Sequence, residues 1–287
     1  FEMTPRETWQ RIAANKIALA SIIFLALLIL SAAFVPMLLP FGYEQQLPDS
    51  RLLPPGGKHI LGTDDLGRDI LTRVLVGARI SLMVAVSVEC VVVFLGLTVG
   101  LIAGYRGGWI DSLLMRVTDV LLAFPDVLLA ILLLGTLGAT SSRPETSAML
   151  VVISLGVTGW PPLARLVRGQ VVALRQREFV DAARSIGSGH GRILLHHILP
   201  NLVSPIIVAV TVDAAGVILA EATLSYLGIG VQRPMPSWGR MINDALDYYK
   251  SEPRLVIVPA TMLSLTVIAL NFLGDGLRDA LDPRKTR

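Results

Sequence analysis

Six apolar runs divide the chain, at residues 17–39, 80–103, 120–137, 149–166, 202–224 and 255–273, separated by segments where charge, proline and glycine collect. Each approaches the ~20 residues that carry a helix across a bilayer's hydrocarbon core, where the segment itself must satisfy its backbone N–H and C=O groups. The pattern predicts an all-α polytopic membrane protein with six transmembrane helices. The first run follows Arg11 and Lys16 and ends in Pro36 and Pro40. A cleaved signal peptide would have a shorter apolar stretch and end in a small-residue cleavage site rather than in these prolines, so the run reads as a retained anchor. The fourth run carries Gly156, Gly159, Pro161 and Pro162, and the fifth carries Pro205, Asp213 and Glu221. These interruptions mark the two runs as the most functional.

Lys and Arg counts orient the runs, because the excess stays on the cytoplasmic side. With both termini inside, fifteen of the 25 basic residues fall inside and ten outside, five of the ten in one long segment that counts weakly. The expected organisation is a cytoplasmic N-terminal segment (1–16), a first transmembrane helix (17–39), an external segment (40–79), a five-helix core (80–275) and a cytoplasmic tail (276–287). Within the core, 170–200 is a cytoplasmic loop and 225–254 an external one. The external segment 40–79 opens with a loop containing Pro48, Pro54 and Pro55. Leu66, Ile70, Leu71, Val74 and Leu75 then recur at helical spacing, with Arg68, Asp69 and Arg73 on other faces. That pattern fits an amphipathic helix lying on the membrane or on a partner, or a simple structured loop.

Composition agrees with a membrane setting: 53% of residues are hydrophobic and 16% charged, with a mean hydropathy of +0.65, against roughly 25% charged in soluble domains. The net charge of +3 is spread over several loops, so no nucleic-acid role follows. Cys90 is the single cysteine and sits in an apolar run, where packing is its expected role. His59, His190, His196 and His197 form no metal-ligand set. A phosphate-binding loop is also missing. Near Gly56, Gly57 and Lys58, Leu52 replaces the upstream glycine and His59 the Ser or Thr, so this chain should not bind ATP. The runs hold no nucleophile–base pair either, and a non-catalytic subunit is expected.

Between the fourth and fifth runs lies EFVDAARSIGSGHGRILLHHILPN, too polar to span a membrane and rich in helix formers. It should fold as two helices around a glycine turn, since Gly187, Gly189 and Gly191 permit left-handed backbone and close approach by another chain. DAARSIG, followed thirteen residues after its glycine by Pro200, resembles the EAA loop of bacterial ABC-importer permeases. In that family the loop is a coupling helix seated in a cleft of the ATP-hydrolysing subunit. The resemblance assigns ATPase coupling to Asp181, Ala182, Ala183, Gly187, Leu199 and Pro200, with Gly189 and Gly191 in the same surface. Asp181 replaces the family's usual glutamate, keeping the carboxylate, and His197 stands where isoleucine is common.

The resemblance continues along the chain. HILGTDDLGRDILTRVLVGARISL (59–82), GYRGGWIDSLLMRVTDVLLAFPDVLLAI (104–131), ILAEATLSYLGIGVQRPMPSWGRMI (218–242) and GDGLRDALDP (274–283) look like the peptide and nickel permease group, specifically its C-type subunits of dipeptide and oligopeptide systems. What this implies is a type I importer fold and a heterodimer with a second homologous permease. It also implies two ATPase subunits or domains that hold ATP and Mg, and an extracytoplasmic binding protein. The implied cargo is a di- or oligopeptide, with nickel complexes or glutathione-like molecules as alternatives.

Ionisable residues within apolar runs are costly and tend to face cavities or partners. Glu89, Asp213 and Glu221 are therefore the candidate residues of a translocation path, Asp213 foremost, with internal helix pairing as the rival reading. Arg116, Asp119 and Asp126, around Phe124 and Pro125, should form an interfacial charge set at the entry of the third helix. A self-sufficient secondary transporter would show an internal repeat with matching broken helices, and none is visible.

Overall fold

The computed structural model describes residues 5–137 and 144–281. Pro283 of the last motif, together with Arg143, Arg284, Lys285 and Arg287 of the charge count, lies outside the described residues. The described chain is helical, with two isolated β-bridges and no strand. Its helices are α1 (Pro5–Ala14), α2 (Lys16–Leu38), α3 (Ile70–Arg106), α4 (Gly108–Leu122), α5 (Asp126–Leu137) and α6 (Pro144–Leu174), then α7 (Glu178–Ser185), α8 (His190–Arg192), α9 (Leu199–Tyr226), α10 (Trp238–Asp244) and α11 (Arg254–Leu281). Five helical stretches are long and apolar enough to cross a membrane. The count becomes six if α4 and α5, bent by 87° at Ala123–Pro125, make one broken span.

The third run, read as one helix over 120–137, is thus two helices. Pro125 lacks the N–H that would continue the ladder from α4, and the Asp126 side chain accepts from the N–H of Val127 at 2.8 Å to open α5. The external amphipathic helix is likewise not a separate element. It forms the first turns of α3, which passes residue 80 without a break. Ile70, Val74 and Leu75 are buried in the chain's own core, and Arg68 and Arg73, expected on other faces than the apolar residues, are buried too. The loop 41–69 and α10 cover that surface. At the far end, α11 runs on to Leu281, past the expected start of a tail at 276.

The scaffold is centred on α3 against α6. Gly96, Gly100 and Gly104 form a small-residue row with a four-residue period along α3. A Cβ at Gly100 would lie 2.7 Å from the carbonyl oxygen of Ala164, and one at Gly104 2.8 Å from that of Arg168. Helices in lipid associate through such close backbone contact. Cys90, expected to pack, instead lies on an exposed face of the chain.

Candidate functional site: a docking turn, a buried anchor and a carboxylate-lined cavity

The turn between α6 and α9 is built mainly by backbone chemistry. α7 ends at Ile186, and Gly187 follows with φ +82°. The N–H of Gly187 donates to the Arg184 carbonyl at 2.9 Å and that of Ser188 to the Ala183 carbonyl at 3.0 Å. This pairing closes a helix with a left-handed residue, where glycine has no Cβ penalty. Sequence alone offers that role to all three glycines, but only Gly187 uses it. Gly189 has φ −68° and caps α8, whereas Gly191 lies inside α8. At all three, an added Cβ would meet open space.

Burial splits the segment into two faces. Val180 and Ala183 are buried, as are Ile193 and Ile198 further on. Asp181, Ala182, Arg184 and the glycines are exposed. Asp181 pairs with Arg184 at 3.1 Å on the exposed face, so the shorter carboxylate makes a local ion pair. Ile186 is 83% exposed at the tip. Its position next to the motif glycine was the signal that sequence reasoning passed over.

Residues 193–198 form a wide π turn, with the N–H of Leu199 donating to the Leu194 carbonyl. Pro200 follows directly, and its ring has no N–H for the His196 carbonyl four residues back. The helix nonetheless continues from His190 to Tyr226. Half-buried His197 sits in the wide turn, where its carbonyl accepts from the Asn201 side chain at 2.7 Å. Two contacts tie the turn's surroundings to α3: Tyr105 Oη lies 3.0 Å from His190 Nδ1, and Arg175 Nη1 donates to the carbonyls of Gly104 and Tyr105.

Glu221, near the other end of α9, is fully buried. It accepts from the Ser81 hydroxyl at 3.0 Å and the Ser225 hydroxyl at 2.7 Å, and Ser237 also bonds to it. Beside this cluster the Trp238 indole N–H donates to the Val74 carbonyl at 3.1 Å. Glu221 therefore binds α3, α9 and α10 to one another and does not face a cavity.

A charge network that sequence reasoning missed lies at the same end. Asp244 accepts from Arg233 at 2.8 Å, with Arg240 Nε 3.0 Å away and Arg68 and Arg73 each 3.6 Å away. Asp64 accepts from Arg68 Nε at 2.6 Å. Asp69 caps α3 through the N–H of Thr72 at 2.8 Å and lies 2.9 Å from His59 Nδ1. Gly67 between them has φ +75°, and a Cβ there would meet the Leu47 carbonyl. Burial, then neighbouring Asp64, holds the Asp65 carboxyl above the usual range. The LGTD and GRD motifs are thus a folding device for this cap. In the sequence these charges register as outside positive residues, as polar faces of an amphipathic helix and as part of a family motif, not as partners of Asp244.

Asp213 is exposed and borders two cavities. One, of about 120 Å³, is shared with Glu89. The other is a wide cleft of about 750 Å³ between α6, α9 and α11, which also reaches Asp275 and Arg278. Glu89 and Asp213 are thus brought together, and Glu221 is not. Of the expected charge set near Phe124, Asp119 pairs with Arg165 on an exposed surface. Asp111, one turn from the start of α4, holds Arg168 through two 2.6 Å bonds. Among the described residues no group of His, Cys, Asp and Glu could hold a metal ion.

Long apolar helices, a hinged polar turn and an open carboxylate-lined cleft define a polytopic membrane protein of the transport class. The chain belongs to the family of binding-protein-dependent transport system inner membrane components, which it matches over residues 96–287, and residues 5–55 match the N-terminal transmembrane domain of oligopeptide transport permease C. It is 43% identical over 279 residues to the dipeptide transport system permease protein DppC of Alkalihalophilus pseudofirmus, covering 97% of this chain and 90% of that one. The glutathione transport system permease protein GsiD of Pectobacterium atrosepticum is 42% identical, covering 97% and 91%. The oligopeptide transport system permease protein OppC of Bacillus subtilis is 39% identical, covering 97% and 89%.

Proposed function

We propose that this chain is one of two unlike permease subunits of an ATP-driven importer, which together form the path for di- or oligopeptides delivered by an extracytoplasmic binding protein. Six membrane crossings with both termini cytoplasmic fit the charge distribution, with α4 and α5 together making the third. The observation that carries the reading is the turn between α6 and α9: a closed helix end with an exposed face at Asp181, Ala182, Ile186, Gly189 and Gly191, joined without a break to a 37-residue helix. An ATPase subunit docked on that face, holding ATP and Mg, would move α9 through Leu199 and Pro200. The wide cleft beside Asp213 would be half of the shared path, and Glu221 an anchor outside it that fixes the end of α9. The names of its relatives favour peptide cargo, and the 42% identity to a glutathione permease keeps that tripeptide as a second reading. Deleting 185–191 should abolish ATP-dependent peptide uptake by the reconstituted complex; unchanged uptake would overturn the assignment. Peptide and glutathione are separated by which of them stimulates the ATPase activity of the intact complex.

A further inference from the structure

Glu89 is 7% exposed, yet it borders a cavity, and neither carboxylate oxygen has a hydrogen-bond partner. The Asp213 carboxyl lies within hydrogen-bonding reach of it, and Asp126 is near enough to Asp213 to act on it electrostatically. When both are ionised the two carboxylates only accept, so Asp213 then supplies no donor to the unpartnered oxygens of Glu89. Among the described residues, neither forms an ion pair with Arg, Lys or His. The rest of the wall, including Val92, Leu163 and Val210, is apolar. A buried carboxylate without a cation, as at Glu89, is costly and marks a functional site in membranes.

We propose that Glu89 and Asp213 form a side pocket of the path that takes the ammonium end of a lysine-type side chain, so that the cargo includes basic peptides; this rests on the permease reading above. The shape fits the chemistry. About 120 Å³ is the room of roughly four waters, enough for an aminoalkyl end but small for a whole dipeptide. The backbone would remain in the wide cleft that Asp213 also borders. An ammonium brings three donors to a pair that has acceptors only once both carboxyls are ionised, and the apolar wall covers the methylene stem. Arg278 and Asp275, which line the wide cleft, do not line this pocket.

The test is uptake of Ala-Lys against Ala-norleucine by the complete complex in proteoliposomes, with binding protein saturated by each peptide. The two peptides differ in the side-chain ammonium. Wild type should favour Ala-Lys by about tenfold, the scale of one charged hydrogen bond. The preference should fall to about one in the Glu89→Gln, Asp213→Asn double variant, after assembly is checked by size-exclusion chromatography. If the change at buried Glu89 prevents assembly, Asp213→Asn alone, at an exposed position, should show the same collapse. Equal uptake of both peptides by wild type, or a preference that survives neutralisation, overturns the pocket while leaving the permease reading intact. No ATP-dependent uptake of either peptide overturns both.

Discussion

Replacing Gly187 with alanine separates the fold of the docking turn from its contacts. The residue has φ +82°, where an L side chain costs roughly 1–2 kcal/mol, while an added methyl would meet no atom within 4 Å. The whole effect is therefore backbone strain, relieved only by opening the two bonds that close α7. A cost of that size corresponds to a factor of roughly 5–30 in the population of the closed turn. If the closed turn is what the ATPase subunit grips, its apparent affinity falls by the lost fraction. Gly187→Asn, which tolerates left-handed backbone better, should be intermediate. Gly189→Ala and Gly191→Ala carry no such strain and should act only through the docked partner. The assay is binding of the isolated ATPase subunit to the permease pair in nanodiscs, alongside hydrogen exchange of the Ser188 amide. Wild-type protection of that amide in Gly187→Ala would refute the argument, whatever happened to uptake.

Three further outcomes follow from packing and charge. Gly100→Ala forces a methyl to within 2.7 Å of a backbone oxygen and should cost about 1–3 kcal/mol in thermal unfolding followed by tryptophan fluorescence, whereas Gly135→Ala, with open space around it, should be neutral or stabilising. Glu221→Ala strands the serine hydroxyls around it and should cost about 3 kcal/mol or more, with Glu221→Gln much milder in the same measurement. Asp65 binds its proton more tightly in the folded chain than in the unfolded one, so its charge opposes folding above the folded pKa and the penalty fades as pH falls through it. Asp65→Asn should therefore raise the melting temperature at neutral pH, with the gain shrinking as the pH is lowered through the folded carboxyl's titration towards the ordinary carboxylate range.

The helices with uniform apolar surfaces were legible in the sequence because lipid imposes one requirement on every residue of a span. Glu89 and Asp213 were legible as costly charges, though their shared cavity was not, since it depends on how α3, α6 and α9 cross. Patterning misled where burial comes from the chain's own loops. Leu66 to Leu75 looked amphipathic because Arg68 and Arg73 are charged, yet both arginines are buried against aspartates, among them Asp244 from the far side of six intervening helices. Periodicity marks which side chains differ from their neighbours and says nothing about which distant carboxylate neutralises them. The same holds for Glu221, whose serine partner Ser81 comes from another helix. The bend at Pro125 was visible as a residue and unread as geometry. The coupling role proposed for residues 181–200 rests on motif resemblance, and the structure adds the exposed isoleucine at the tip of that turn.

The unbroken helix from His190 to Tyr226 has a mechanical consequence. At 1.5 Å per residue, His190 lies about 46 Å along the axis from Glu221, and Asp213 only about 12 Å. With Glu221 as the fulcrum, a stiff rod would shift Asp213 by roughly a quarter of any sideways displacement at His190, so a stroke of about 4 Å would arrive as about 1 Å. Under the proposed coupling the arrangement would act as a reducing lever, trading distance for force at Asp213. The wide turn at Ile193–Ile198 is where compliance would enter, and stiffening it should deliver more of each stroke to the path.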